Sequence, residues 1–279
     1  MDAATRKKFI AALNEIEPRL MPGPHPVKPI HILSPIDLPE KKTGRINITH
    51  RFVKDKIEII GSRQAFTRGL QPVMLKLIQP LKITTLSDKK SGVWMTDLPE
   101  ELFQIHSMLE TVQPRGHVLI GGLGLGIAAL MVNQHPGVKS VTIIEKDADI
   151  IELCAPQHLK KNIICADITD YLKSHKEKFN CYLLDTWRGT NEMTYWREVF
   201  PLRRIIRNRF GLRPVVHCWA EDIMRGQVER VLRGPNRHWK YQDLPPMTQA
   251  IAERFTENVG TKTWEKIYGE TVDANLNRR

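Results

Sequence analysis

The sequence predicts an α/β protein with a doubly wound, mostly parallel sheet, a small β-rich unit before it and a helical C-terminal tail after it. From His117 onward, apolar runs of strand length alternate with segments long enough for crossover helices, at 118–121, 141–144, 163–165, 181–184 and 215–218. The first run ends in three glycines at alternate positions and passes directly into a helical pattern. Such alternation is typical of a parallel sheet that helices cover on both faces.

Length and composition are those of an ordinary globular protein. The chain has 279 residues, 41% hydrophobic and 26% charged, which is enough to bury a large core. No apolar run approaches the roughly 20 residues that a membrane-spanning helix needs, and the N-terminus lacks the apolar centre of a signal peptide. The cysteines match neither a disulfide framework nor a zinc site. They are Cys154, Cys165, Cys181 and Cys218. We therefore expect a cytoplasmic protein with no membrane contact and no metal.

The net charge of +11 permits nucleic acid or another polyanion as a partner. No zinc-finger spacing, RNA-binding aromatic signature or helix-turn-helix pattern accompanies the charge, so a solvated helix face together with a charged tail is the favoured explanation. The sequence is also compatible with a homodimer. The basic residues between 203 and 213 are Arg203, Arg204, Arg207, Arg209 and Arg213.

The first 96 residues contain three kinds of segment. Apolar residues at helical spacing between Phe9 and Leu20 predict an amphipathic helix. The segment 18–40 holds seven prolines and is expected to be an extended connector, so we group 1–40 together. Residues 41–96 predict a small β-rich unit. Its strands come from the alternation in 45–60 and from LKITTL (81–86) and GVWM (92–95), which flank a turn.

A helix is predicted to start at Asp97, with Glu100 completing a capping box and Pro99 in the first turn. This helix opens the principal domain, 97–233, in which one more helix is expected after Glu221. The basic extension 234–279 shows no clear strand, although a helix near Met247–Phe255 fits its pattern.

The loop Gly122-x-Gly124-x-Gly126 stands where the first parallel strand turns into its helix, at the edge where open sheets bind ligands. A dinucleotide fingerprint would need glycine or alanine at 127, where Ile127 stands, and no GK[ST] sequence is present. The spacing therefore points away from a pyrophosphate. By itself it is weak, because any tight turn can use glycine.

Acidic residues follow the next three strands. Glu145 ends the second strand, where a carboxylate can accept from both ribose hydroxyls. Asp167 follows the third strand, where it could accept from an adenine amino group, and Asp185 follows the fourth. Each could instead be an ordinary helix cap. Their joint occurrence after a glycine loop favours a ligand site.

This combination resembles the class I S-adenosylmethionine-dependent methyltransferase superfamily over about residues 115–220. The resemblance implies a Rossmann-like methyltransferase fold with S-adenosyl-L-methionine as cofactor. It places the methionine part against the glycine loop, the ribose on Glu145 and the adenine on Asp167. The residues that we expect to hold the cofactor are Gly122, Leu123, Gly124, Gly126, Glu145, Lys146, Asp167, Ile168 and Asp185.

Within that superfamily the chain is similar to the spermidine synthase branch, and to poorly characterised, often phage-borne proteins that share W-M-S/T-D, G-L-G-L-G and D-x-W. Here the first and last of these are Trp94–Asp97 and Asp185-Thr186-Trp187. Aminopropyltransferases carry an aspartate at the place of Leu125 and a second acid shortly after the fourth-strand aspartate, where TWRGT follows here. Loss of these carboxylates should weaken binding of a polycation.

We therefore predict a methyltransferase of unknown acceptor, with Asp185 as the candidate base. Trp187, His217 and Trp219 are candidates for the acceptor pocket, although core packing is the favoured explanation for the last two. No motif for methylation of nucleic acid bases is present. Two alternatives stay open: a divergent aminopropyltransferase, and a non-catalytic binding protein that keeps the fold.

Overall fold

The computed structural model describes residues 33–54, 56–59, 73–76, 80–211, 213–224 and 227. The predicted N-terminal helix, most of the proline-rich connector and the extension 234–279 lie outside these residues, as does most of the helix expected after Glu221. Within them, no helix combines the length and apolar character that crossing a bilayer requires.

The chain divides into two compact units. The first contains the described residues up to Arg188 together with Arg204–Trp219, and every described strand belongs to it. The second contains Gly189–Arg203 and the residues from Ala220 onward. Its described part is mostly helical, and in it Arg203 forms an ion pair with Glu221.

The first unit is built on a parallel sheet of five strands. They are β7 (Gly116–Gly121), β8 (Val138–Glu145), β9 (Ile163–Cys165), β10 (Cys181–Leu184) and β11 (Val215–Cys218). Each coincides with a predicted apolar run, so the five-stranded prediction is confirmed. The order is β11-β10-β7-β8-β9 with all neighbours parallel. The chain winds outward from β7 in one direction and then in the other, which makes this a doubly wound Rossmann-like fold with a switch point beside β7.

Helices connect these strands. They are α1 (Pro99–Val112) before β7, α2 (Ile127–Asn133), α3 (Ala148–Cys154), a 3₁₀ helix (Gln157–Asn162), α4 (Ile168–Ser174), a short α5 (Glu192–Thr194), a π-helical turn (Tyr195–Val199) and α6 (Phe200–Phe210). The core of the first unit lies between helices and sheet. Val118 and Val132 are fully buried in it, from β7 and α2 respectively.

An antiparallel sheet precedes the parallel one, in the order β1 (Lys41–Thr43), β2 (Ile46–Val53), β5 (Leu81–Asp88), β6 (Gly92–Thr96). β5 and β6 form the predicted hairpin. A separate pair joins β3 (Lys56–Ile59) to β4 (Val73–Lys76). Ile46 and Ile48 on β2 belong to the same core cluster as Val118, so the two sheets share a core.

The prediction that α1 starts at Asp97 with a capping box was wrong. The helix begins at Pro99, its N-cap is Leu98, and no side chain caps it. Asp97 is buried and accepts a hydrogen bond from the backbone N–H of Thr84 on β5. A long-range bond to the neighbouring strand has therefore replaced the local capping box.

Five aromatic side chains form a cluster that includes Tyr182 of β10. Its members are Tyr171, His175, Phe179, Tyr182 and Phe210. The His175 ring stacks on Tyr171 at 4.6 Å and on Phe210 at 5.0 Å between ring centroids. Among the described residues neither of its ring nitrogens has a hydrogen-bond partner. The imidazole is thus packed as an aromatic ring.

Two features around His175 oppose its protonation. Desolvation by the surrounding protein lowers its pKa from the ordinary value, and the nearby guanidinium of Arg209 lowers it further, while Glu177 opposes both. Arg209 is fixed there because it donates to the carbonyl oxygens of Leu172 and His175, at 2.6 and 2.8 Å.

We expect His175→Phe to make the fold less sensitive to acid. Because the pKa of His175 is lower in the folded than in the unfolded chain, its contribution to stability is present above the unfolded pKa, about 6.5, and is lost as pH falls through the folded pKa. Urea unfolding at pH 8 and pH 5 should show a smaller loss of stability for His175→Phe than for wild type. His158→Phe, at an exposed position, serves as control and should keep the wild-type loss. Equal losses in all three proteins would contradict the prediction.

Candidate functional site

Strand register brings three predicted site residues side by side. Gly121, at the end of β7, pairs with Ile144 on β8 and with Leu184 on β10. Gly122, Glu145 and Asp185 therefore follow at the same edge of the sheet. Backbone bonds continue beyond the strands, from Gly122 N to Ile144 O and from Asp185 N to Gly121 O, both at 2.8 Å. Asp167 follows β9, one strand further out.

The glycine loop is required by the chain's own packing. Gly122 and Gly124 have φ of +91° and +51°, in the left-handed region that glycine tolerates best. A Cβ at Gly122 would lie 2.2 Å from the carbonyl oxygen of Asp185, and one at Gly124 would lie 2.6 Å from Sδ of Met95. Protein atoms thus already require glycine here, whether or not a ligand does.

The N–H groups of this loop are used unequally. Leu123 N donates to Glu145 at 2.9 Å. Leu125 N donates to Met95 Sδ at 3.4 Å, and a thioether sulfur is a weak acceptor. The N–H of Gly124 has no acceptor among the described residues. The middle of the loop therefore has donor capacity left for a ligand.

Glu145 is buried, with 8% of its surface exposed. Its Oε1 accepts from Asp147 N and its Oε2 from Leu123 N, each at 2.9 Å. Since each carboxylate oxygen has a second lone pair, two further donors can be accommodated. No cation of the described residues forms an ion pair with Glu145, and the adjacent Lys146 is exposed.

Asp167 is exposed and caps α4. Its Oδ1 accepts from Thr169 N at 2.8 Å, while the next residue, Ile168, is buried beneath the helix. The helix-cap explanation thus describes what this carboxylate does in the structure. Its contact with an adenine stays a prediction.

Asp185 has an acidic neighbour that the sequence prediction missed. Desolvation by the protein around it raises the pKa of Asp185 to about 7, and the charge of Glu101 adds to this rise. The residue as a whole is exposed at the surface, whereas protein atoms surround its carboxyl group.

The pKa of Glu101 is raised to about 7 too, mainly by desolvation, although hydrogen bonds from the N–H and hydroxyl of Thr96 act in the opposite direction. The sequence does not single out Glu101, because an acid in the first turn of a helix is ordinarily explained by the helix dipole.

The proposed pocket residues are partly brought together. Trp187 Nε1 donates to the carbonyl oxygen of Trp219 at 3.3 Å, and Trp219 packs against the core cluster. His217 is half-buried in β11, opposite Leu183 of β10. Trp187 is the second residue after Asp185 in the loop, so it is the one of the three that lies nearest in the chain to the candidate base.

Strand β6 crosses the carboxyl edge of the parallel sheet. The guanidinium of Arg188, after β10, lies 3.9 Å from the ring centroid of Trp94. Arg45 lies 5.1 Å from the same ring and pairs with Asp147 after β8 and with Asp88. Between these two attachments Met95 contacts the glycine loop. These contacts were not predicted from the sequence, because the residues of each pair are far apart in the chain.

Comparison with known proteins adds little to these observations. No protein-family model and no curated protein matches the sequence. A Methanococcus maripaludis protein assigned to the S-adenosyl-L-methionine-dependent methyltransferases is similar in structure, with 11% identity, coverage of 56% of this chain and 74% of the other, and a TM-score of 0.31.

Two further structures are similar to the same extent. For spermidine synthase from Thermotoga maritima the identity is 17%, the coverage 63% and 74%, and the TM-score 0.30. For Haemonchus contortus phosphoethanolamine N-methyltransferase 2 in complex with S-adenosyl-L-methionine they are 11%, 85% and 63%, and 0.32. At these values the fold assignment rests on the strand order described above.

Alanine at Gly124 should cost more stability than alanine at Gly92. Both glycines have positive φ, +51° and +80°, but a Cβ at Gly92 meets nothing within 4 Å. Gly92→Ala should therefore cost about 1–2 kcal/mol of backbone strain, and Gly124→Ala should cost more than that, because the end of the Met95 side chain has to move. Urea unfolding measures both, and Met95→Ala should remove the excess at Gly124. Equal costs at the two glycines would show that the contact is unimportant.

Removing the charge of Glu101 should lower the pKa of Asp185. The Glu101 carboxylate is the secondary cause of the raised value, so Glu101→Gln should shift the Asp185 titration downward while desolvation keeps it above the ordinary range. Carboxyl ¹³C chemical shifts followed against pH give the value directly. Glu110→Gln, on the exposed last turn of α1, is the control. An unchanged titration in Glu101→Gln would mean that the two acids are not coupled.

Proposed function

We propose that this protein is an S-adenosyl-L-methionine-dependent methyltransferase. The observation that carries the proposal is the buried carboxylate of Glu145, held at the end of β8 by the N–H groups of Leu123 and Asp147. Two backbone bonds fix its orientation, and two lone pairs are left that suit the two hydroxyls of a ribose. Glu145 lies next to the glycine loop that follows β7, at the carboxyl edge where doubly wound sheets bind their ligands.

The other residues of the edge fit the same ligand. The unused N–H of Gly124 and the weakly bonded N–H of Leu125 suit the polar amino-acid end of the cofactor. Asp185 lies on the other side of Gly122 and suits an ammonium group or the acceptor. Lys146, Asp167 and Ile168 follow β8 and β9, on the side proposed for the adenine.

The bound cofactor would supply a methyl group that is already activated by the sulfonium charge. The chain then has to align the acceptor, exclude water and remove a proton. A carboxyl whose pKa is about 7 is half ionised at neutral pH, so Asp185 suits the role of base. Trp187, next but one in the loop, suits the role of covering the acceptor.

Aminopropyl transfer is the second candidate function. The neighbouring acids Glu101 and Asp185 favour it, because carboxylates attract an amine acceptor. The position of Leu125, which is fully buried and apolar, disfavours it, since the carboxylate expected there is missing.

A basic surface for nucleic acid finds less support than the sequence suggested. Arg209 is bonded to two carbonyl oxygens of the protein and Arg203 is paired with Glu221, so two members of the arginine cluster have structural roles. Binding to nucleic acid stays a prediction that a salt-dependent gel shift would test.

Glu145→Ala should weaken binding of S-adenosylhomocysteine by about 2–4 kcal/mol, or about 30- to 1,000-fold, through loss of two charge-assisted hydrogen bonds. Glu145→Gln keeps one acceptor oxygen and should lie between alanine and wild type. Calorimetric titration gives the dissociation constants.

The alanine variant also leaves the N–H groups of Leu123 and Asp147 without their acceptor, so its folding must be checked by urea unfolding. Glu152→Ala, at an exposed acid of α3 that pairs with Lys41, should bind like wild type. If a folded Glu145→Ala binds as tightly as wild type, the ribose contact is refuted.

A further inference from the structure

Met95 is held in front of the glycine loop by both of its neighbours. Its Sδ lies 3.4 Å from Leu125 N. On one side Trp94 Nε1 donates to Ser91 Oγ at 2.7 Å and the ring carries the Arg188 guanidinium. On the other side Thr96 donates its N–H to Glu101. The position of the Met95 backbone is thus fixed, while its side chain keeps three rotatable bonds.

The charges around this part of the loop are distinctive. Met95 is neutral, and Leu125 is fully buried and apolar. Arg188 contributes a cation to the strand that carries Met95. Glu145 is the acid that bonds to the loop, but it accepts from Leu123 N, at the start of the loop. The N–H of Leu125 therefore faces a neutral thioether, and no carboxylate of the described residues is bonded to the N–H of Gly124 or of Leu125.

We propose that Met95 contacts the amino-acid tail of the donor and makes the site select the carboxylate-bearing donor, S-adenosyl-L-methionine, over its decarboxylated form. This inference rests on the proposed function and deepens it, because the two donors support methyl and aminopropyl transfer respectively.

The selectivity follows from the strength of the competing acceptors. A carboxylate accepts from N–H groups far more strongly than a thioether does. The intact donor can therefore take the Leu125 N–H from Met95, whose flexible side chain then packs against the methylene groups of the tail. The decarboxylated donor offers no acceptor at this place, and Leu125 N–H keeps its weak bond to sulfur.

Calorimetric titration of both donors into wild type and Met95 variants tests the inference. Wild type should bind the intact donor about tenfold tighter or more, the effect of one charge-assisted bond. Met95→Glu puts a carboxylate beside the same N–H groups, so it should abolish or invert this ratio. Val93→Glu, two residues earlier at a position that is 64% exposed, adds the same charge without facing the loop and should keep the wild-type ratio.

If Met95→Glu does not fold, Met95→Gln tests whether Met95 sets the donor selectivity. Its neutral amide oxygen competes for the Leu125 N–H, so the intact donor should lose about three- to tenfold in affinity and the decarboxylated donor should be unaffected. Equal binding of both donors by wild type, or a wild-type ratio in the folded Met95 variants, would overturn the inference and leave the proposed function standing. If neither donor binds to wild type, the proposed function fails together with it.

Discussion

The carboxylate of Glu145 is the interaction on which the geometry of the edge depends. It joins the first residue after Gly122 to the turn that leads from β8 into α3, so loop and turn cannot move separately. Burying an ionised group is unfavourable unless hydrogen bonds satisfy it. Here the backbone provides two of them, and the same arrangement that stabilises the charge leaves it oriented toward the open edge.

The antiparallel sheet also contacts the carboxyl edge of the parallel sheet. Through Arg45 it is fixed to Asp147, and through Trp94 it meets Arg188. These two attachments lie beyond β8 and β10, on either side of the loop after β7. The N-terminal strands therefore help to form the site, which a domain division based on strand pattern alone does not reveal.

Much of the fold was predictable because its signals are local. Each strand of the parallel sheet is a short apolar run that stands between turn residues, and Glu145 could be placed because it ends such a run. Met95, Glu101 and Arg188 could not be found in this way. Their roles depend on contacts between residues that are about 30 to 90 positions apart, and no periodic pattern in the sequence reveals such contacts. Asp97 shows the opposite mistake: it was assigned to the cap of the nearest helix, whereas it bonds to a strand.

The buried bond between Asp97 and Thr84 has a consequence for how the chain can be divided. At Asp97 the architecture changes from antiparallel to parallel, and a truncation there would look natural. It would, however, remove the strand that binds Asp97 and expose the apolar residues of α1 that share a core with Ile46 and Ile48. A fragment that begins at Asp97 should therefore be insoluble, and the two sheets have to be produced, crystallised and compared as one piece.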